Sequence, residues 1–428
     1  MNQSRLLNSV FLATALLFAA ALAAPEPAMA QRSERGKAEK EEAPYPNATR
    51  KEPVIRANSR IQKKVQDMFD AYGEDDMTKV ESIAQELLGN AKAGDYPQAM
   101  ANRMMAEVSN ERDDLATAID YLTKAIASEA MANEQHFQSM LLLAQWYGFE
   151  EREDEALAIM ERFFDESGST NPEYRMIRAQ SLYRLERYDE AAAAINEVLA
   201  EVADANPNWR KLLLAVYVEA EKLPEAIEVG KQLLAVDPND KPLLVNMASM
   251  YLDLDQTEQA VALLEDAKAR GIFTAEEDYE RLYRVYYNME GQEAKTIAII
   301  NEGLDKGILK PGHQVYNLLG QSYYFSDQIE PAISAWTKAV EFASDGRTAL
   351  NLARVYYNEE RFPEAKTAIQ KALQQGLENP GDGHVTLGNI ELYGLRNKAA
   401  AAAAYREALK HPGSHQEQAQ KGLAAASR

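Results

Sequence analysis

A small residue returns along this chain at intervals of 33 to 38 positions: Ala118, Ala156, Ala191, Ala226, Ala260, Thr296, Ala332, Ala365 and Ala401. Such a period describes one helical unit repeated, in which no copy buries its apolar face alone and each leans on its neighbours. The unit is written most fully from Tyr316 to Trp336. There Leu319 and Tyr323 stand four apart on one helical face, and Gly320 lets a second helix approach closely. Ala332 is the small contact where that second helix crosses, and Trp336 fills the space one turn later. Leu143-Ala144 with Tyr147, Met247-Ala248 with Tyr251, Leu352-Ala353 with Tyr356, and Leu387-Gly388 repeat the first helix. Hinges such as Tyr188-Asp189-Glu190-Ala191 and Phe362-Pro363-Glu364-Ala365 lead into the second. The expectation is an all-α array of paired helices, A and B.

Boundaries follow from the same pattern. A degenerate pair near Ile61–Tyr72 and Met77–Leu88, with Val80 at the small position, reads as an N-terminal cap within 58–97. Regular repeats fill 98–411, and the Gln- and Ala-rich stretch 412–428 reads as a C-terminal capping helix with a polar outer face. Three B helices are expected to stop on left-handed glycines, Gly271, Gly307 and Gly376. Pro238, Pro311 and Pro380 mark turns between repeats.

The first thirty residues read as an address. Arg5 supplies a positive start, Val10 to Ala24 is apolar apart from Thr14, and Ala28-Met29-Ala30 has the form of a cleavage site. The apolar run is short for a bilayer span of about 20 residues, so cleavage after Ala30 and export are expected. Residues 31–57 read as a flexible charged arm carrying Pro44, Pro46 and Pro53. The chain carries −21 overall, yet 31–66 holds ten Lys or Arg against five Glu, so a basic tether precedes an acidic body. That tether is a spacer, or a contact for anionic lipid or an acidic partner. No cysteine occurs, which excludes a disulfide framework and a lipid-modified cysteine.

Motifs for chemistry are missing. Gly320-Gln321-Ser322 lacks the second glycine of a nucleophile elbow, and there is no phosphate-binding glycine loop. Asp253-Leu254-Asp255 lacks the glycine of a calcium loop. His411 and His415 have metal-ligand spacing, but Pro412 and Gly413 between them break the helix, so no metal site and no cofactor are expected. An enzyme whose site escapes motif search stays a minor alternative.

The Tyr316–Trp336 pattern resembles the tetratricopeptide repeat, with Tyr316 in the place often held by Trp, and the likeness extends over roughly 60–411. It implies a right-handed superhelical solenoid of about ten helix pairs. It also implies a non-catalytic scaffold whose A helices line a concave groove for extended peptides or partner helices. In the family, groove positions lie 18, 15, 11 and 8 residues before the small anchor. Carried onto this chain they are Gln314, Asn317, Gln321 and Tyr324 before Ala332, and Arg347, Leu350, Arg354 and Tyr357 before Ala365. Before Thr296 they are Asp278, Arg281, Val285 and Asn288; a one-residue insertion before Ala401 leaves Asn389 there. Amides suit a peptide backbone, arginine forks a carboxylate, and tyrosine a stacking surface. The Lys and Asn pair of the chaperone-tail carboxylate clamp is absent from the first two places. The layout also resembles exported tetratricopeptide proteins encoded beside TonB, ExbB and ExbD in Gram-negative bacteria. That likeness implies a periplasmic accessory to TonB-dependent uptake, with those components as partners. A scaffold for outer-membrane or peptidoglycan assembly shares the same fold and compartment.

Overall fold

Each A helix ends on a turn that recurs as strictly as the small anchor. In the computed structural model, which describes residues 45–55 and 58–428, one residue per turn lies in the left-handed region. These are Asp75, Asp113, Glu151, Glu186, Glu221, Asp255, Gly291, Asp327, Glu360 and Arg396, with φ between 54° and 74°. Every one precedes its anchor by five residues. The following N–H reaches back five residues, as from Gln328 to Tyr323 O (2.9 Å) and from Arg361 to Tyr356 O (2.8 Å). This closes a Schellman motif and caps the last carbonyls of helix A. Since nine of the ten are not glycine, each holds a conformation costing roughly 1–2 kcal/mol, which tertiary packing must offset. The expected signal at 1–30 and the arm residues 31–44 lie outside the described residues.

Among the described residues every regular element is helical. The first compact unit runs to Val236 and the second from Asp237. Unit one stacks α1 (Ser59–Gly73), α2 (Met77–Gly89), α3 (Asp95–Asn110), α4 (Leu115–Ala127) and α5 (Asn133–Phe149). It continues through α6 (Glu153–Ser167), α7 (Pro172–Arg184), α8 (Tyr188–Glu201), α9 (Pro207–Glu219) and α10 (Leu223–Val236). Unit two stacks α11 (Lys241–Asp253), α12 (Thr257–Ala269), α13 (Glu276–Tyr287), α14 (Glu293–Asp305) and α15 (His313–Phe325). Then follow α16 (Ile329–Glu341), α17 (Arg347–Asn358), α18 (Phe362–Gln375), α19 (Pro380–Asn389), α20 (Lys398–Ala408) and α21 (Gln416–Ala426). Odd and even helices pair as A and B from α1 to α20, making an all-α solenoid of the tetratricopeptide kind.

The anchors sit where the two helices of each pair cross, and none, from Val80 to Ala401, is more than 1% exposed. Beside Ala332, Trp336 lies against Gly320 so tightly that a Cβ there would come within 2.7 Å of the indole. Tyr405 repeats the contact on Gly388, at 2.6 Å. The Leu-Gly signature is therefore a steric requirement of the crossing. Gly271, Gly307 and Gly376 take positive φ of 73°, 67° and 92°, as expected of helix stops. The insertion before Ala401 is absorbed by a π turn at Ile390–Gly394, which takes up one residue and leaves Gly388 and Ala401 in register.

The arm departs from the flexible tether expected of 31–57. Residues 45–52 are seated on α5 and α6. Tyr45 enters a cluster with Phe137 (ring centroids 4.8 Å) and Phe163 (6.1 Å). Thr49 N–H donates to Glu166 O at 2.8 Å, and its hydroxyl to Asp165 O at 2.8 Å. The Arg50 side chain is only 7% exposed. It donates from Nε to Glu129 (3.0 Å), from Nη1 to Asn133 Oδ1 (2.6 Å) and from Nη2 to Glu129 O (2.9 Å). Part of the tether's positive charge is thus spent inside the fold.

Candidate partner-binding face

The A helices of unit two gather the residues expected to meet a partner, but unequally. On α13, Arg281, Val285 and Asn288 share a depression of about 600 Å³ with Thr257, Glu280 and Arg284. Arg281 Nε is buried there with no hydrogen-bond partner among the described residues. Asp278 is not part of this surface. It is 1% exposed and accepts from Lys241 Nζ (2.7 Å), Thr274 N (3.0 Å) and Ala275 N (2.9 Å), fastening the start of its own helix.

On α15, Gln314 is exposed and Asn317 half-buried. Gln321 already accepts from the Tyr287 hydroxyl of the preceding A helix, and Tyr324 rests on Trp336 with ring centroids 5.6 Å apart. Gln321 thus links neighbouring repeats and Tyr324 packs within its own pair, as well as lining the face. Arg347, expected as a positive feature, is held by Asp345 within its own turn, Nη2 to Oδ2 at 2.9 Å. Hydrogen bonds from Arg347 keep the Asp345 carboxyl below its usual range. Leu350 is half-buried.

The remaining three converge. Arg354 and Tyr357 from α17 and Asn389 from α19 line one pocket of about 240 Å³ with Asp382, Thr386 and Gln418. Arg354 is exposed and forms no ion pair among the described residues. Tyr357 is set edge-on to Phe362 (5.6 Å), and Asn389 Oδ1 accepts from the Tyr405 hydroxyl (2.7 Å), leaving the amide donors of Asn389 open to the pocket. Sequence reasoning missed Asp382 and Gln418. Asp382 lies in the first turn of α19, the next A helix, and Gln418 belongs to α21, so only the stacking of these two helices brings them to Arg354. With Asn358, which also lines it, the pocket offers an unpaired guanidinium, a carboxylate, three amides and an aromatic ring, a set that pairs with the backbone and end groups of a peptide.

Unit one presents a different A-helix face. Met176, at the equivalent position of α7, is core, and Arg103 on α3 is 6% exposed with Nε and Nη1 unpartnered among the described residues. Burial pulls the Arg103 guanidinium below its usual range.

A family model for the tetratricopeptide repeat matches residues 217–271, and one for anaphase-promoting complex, cyclosome, subunit 3 matches residues 111–198. With the recurring helix pairs, these matches make the chain a member of the tetratricopeptide-repeat family. No curated protein matches the sequence. Among solved structures, a tetratricopeptide repeat protein from Parabacteroides merdae is 14% identical with a TM-score of 0.37, covering 70% of this chain and 100% of its own. YrrB, described as a TPR protein with an unusual peptide-binding site, is 19% identical with a TM-score of 0.36, covering 46% of this chain and 99% of its own. Naa15/Naa10 bound to HypK-THB gives 12% identity and a TM-score of 0.43, covering 86% of this chain and 68% of that one. Tetratricopeptide solenoids are a class that generally acts as non-catalytic interaction scaffolds rather than as enzymes.

Proposed function

We propose that this chain is an exported, periplasmic scaffold that holds an extended peptide segment of a partner along the A helices of its second unit. The observation that carries the reading is the meeting of Arg354, Tyr357 and Asn389 in one pocket, next to the half-open row Gln314, Asn317 and Gln321. A peptide laid there finds amides for its backbone, a guanidinium for a carboxylate and a tyrosine face for an apolar side chain. No residue of the set needs to be deprotonated or strained to bind.

The compartment rests on the signal-like first thirty residues. The partner class rests on the layout shared with exported proteins encoded beside TonB, ExbB and ExbD, which makes those components, and a role as accessory to TonB-dependent uptake, the first to test. A photo-crosslinking amino acid at Tyr357, used in cells with Arg354→Glu/Asn317→Ala as the comparison, tests both the face and the partner. Capture of TonB-system components, lost in the double variant with its thermal stability unchanged, is the expected result. Capture of outer-membrane or peptidoglycan assembly proteins would move the assignment to envelope assembly. Equal capture by wild type and double variant overturns the face. N-terminal sequencing of the exported protein should begin at Gln31.

A further inference from the structure

The sequence suggests His411 and His415 as a metal pair and then rejects them, leaving no metal site expected. The structure commits His415 elsewhere and sets His411 in a different group. His415 is 4% exposed, and its Nε2 is taken up by the carbonyls of Ala408 (3.1 Å) and His411 (3.0 Å). His411 instead faces His384 from α19, with the two rings near-parallel at 10° and 5.8 Å between centroids. Glu407 stands four residues before His411, one turn away on the closing end of α20. One ligand atom from each of His384, Glu407 and His411 lies within 4.8 Å of the others.

We infer that His384, Glu407 and His411 form a binding site for a divalent transition-metal ion of the zinc type, clamping helix A to helix B in the last repeat. Two imidazoles and one carboxylate are a donor set that such an ion accepts, with water completing a tetrahedron. The three side chains are half-buried, so they are reachable from solvent and need only small rotations to bring their ligand atoms to the roughly 3.3 Å separation that metal–ligand bonds of about 2.0–2.2 Å require. The one competitor is Lys410, whose ammonium pairs with Glu407 at 2.6 Å. Its side chain is 68% exposed, and surface pairs of that kind are worth about 0–1 kcal/mol, too little to hold the carboxylate against an ion.

The other cluster of ligating groups shows what a non-site looks like. Glu129, His136 and Glu166 also lie within 4.8 Å of one another, but Arg50 and Arg162 already occupy the carboxylates, and a cation there would face two guanidiniums.

Zinc chloride titrated into the chain lacking residues 1–30 at pH 7.5, followed by calorimetry, should show one equivalent bound. His384→Ala and His411→Ala should each weaken binding at least about tenfold, and Glu407→Gln by a smaller factor. His313→Ala should leave it unchanged, because that ring is committed to Thr348 Oγ1 at 2.8 Å. A zinc-dependent rise in melting temperature, present in wild type and absent from His384→Ala/His411→Ala, supplies a readout independent of the titration. Circular dichroism matching wild type excludes misfolding as the cause of lost binding. The proposal is overturned if wild type binds zinc no more tightly than the double variant, or if His313→Ala weakens binding equally.

Discussion

Replacing Arg50 with alanine isolates what holds the seated segment 45–52. Its guanidinium makes three hydrogen bonds from a side chain that is 7% exposed, two to Glu129 and one to Asn133. Charge-assisted bonds are worth roughly 1.5–3 kcal/mol each, but these three share one side chain and are not additive. Glu129 is also half exposed and keeps Arg162 as a partner. The discounted loss is about 2 kcal/mol, or about 30-fold in the opening equilibrium of the segment. Hydrogen exchange read by mass spectrometry at pH 7 should show peptides covering 45–52 exchanging about 30-fold faster, with those from α11 onward unchanged. Unaltered protection would mean that the Tyr45 cluster alone seats the segment. Equal loss throughout would mean that the segment is part of a cooperative core.

The same place carries a pH dependence with a definite sign. His136 is fully buried, and its imidazolium is disfavoured by that burial first and by Arg50 next. Glu129 and Glu166 pull the other way and Arg162 adds to the repulsion, with the ring held at about 4. The unfolded ring titrates near 6.5, so the unfolded state takes up a proton that the folded state refuses. Stability around α5 and α6 is complete above about pH 6.5 and declines as pH falls towards 4, by up to about 3 kcal/mol. Arg50→Ala removes one repelling charge, so the decline should be shallower in the variant. An equally steep decline refutes the electrostatic link between strap and histidine.

Other outcomes follow from single contacts. Gly320→Ala and Gly388→Ala should each cost about 1–3 kcal/mol in thermal or urea melts, because the new Cβ meets Trp336 or Tyr405 within 2.7 Å; a neutral result at both would undo the close-crossing argument. Glu360→Gly, at φ 57°, should be neutral or stabilising by up to about 1 kcal/mol, since relief of left-handed strain offsets the added freedom of the unfolded chain. Glu302, bonded by Lys268, Lys306 and Tyr279, is held at about 2, so its contribution is present above about pH 4.5 and fades as pH falls towards 2. The Glu302 side chain is still 29% exposed, so solvent screening discounts the shift: Glu302→Gln should cost only about 0.2–1 kcal/mol at pH 7 and flatten the acid limb of the melt.

What could be read early was what the period encodes. Leu319, Gly320, Tyr323, Ala332 and Trp336 act on each other within one helix pair, so their spacing alone states the crossing. The glycine stops at Gly271, Gly307 and Gly376 were legible for the same local reason. The left-handed acidic turns were not, because Asp and Glu at a turn look like solvated surface until φ is seen. Among the groove positions, sequence spacing placed residues on A helices but gave no view of their commitments. Asp345 on Arg347, Tyr287 on Gln321 and Tyr405 on Asn389 belong to the residue's own turn or to neighbouring elements.

By itself, then, the sequence determined that this chain is a row of helix pairs, since i, i+4 geometry and a fixed period need no long-range information. It took the packing of separate helices to settle which face residues stay unpaired, that Thr49 binds a carbonyl 116 residues away, and that the His411 ring stacks on His384 while His415 reaches only the His411 carbonyl. Those contacts depend on where separate helices come to rest, a matter of packing that no spacing rule along the chain expresses.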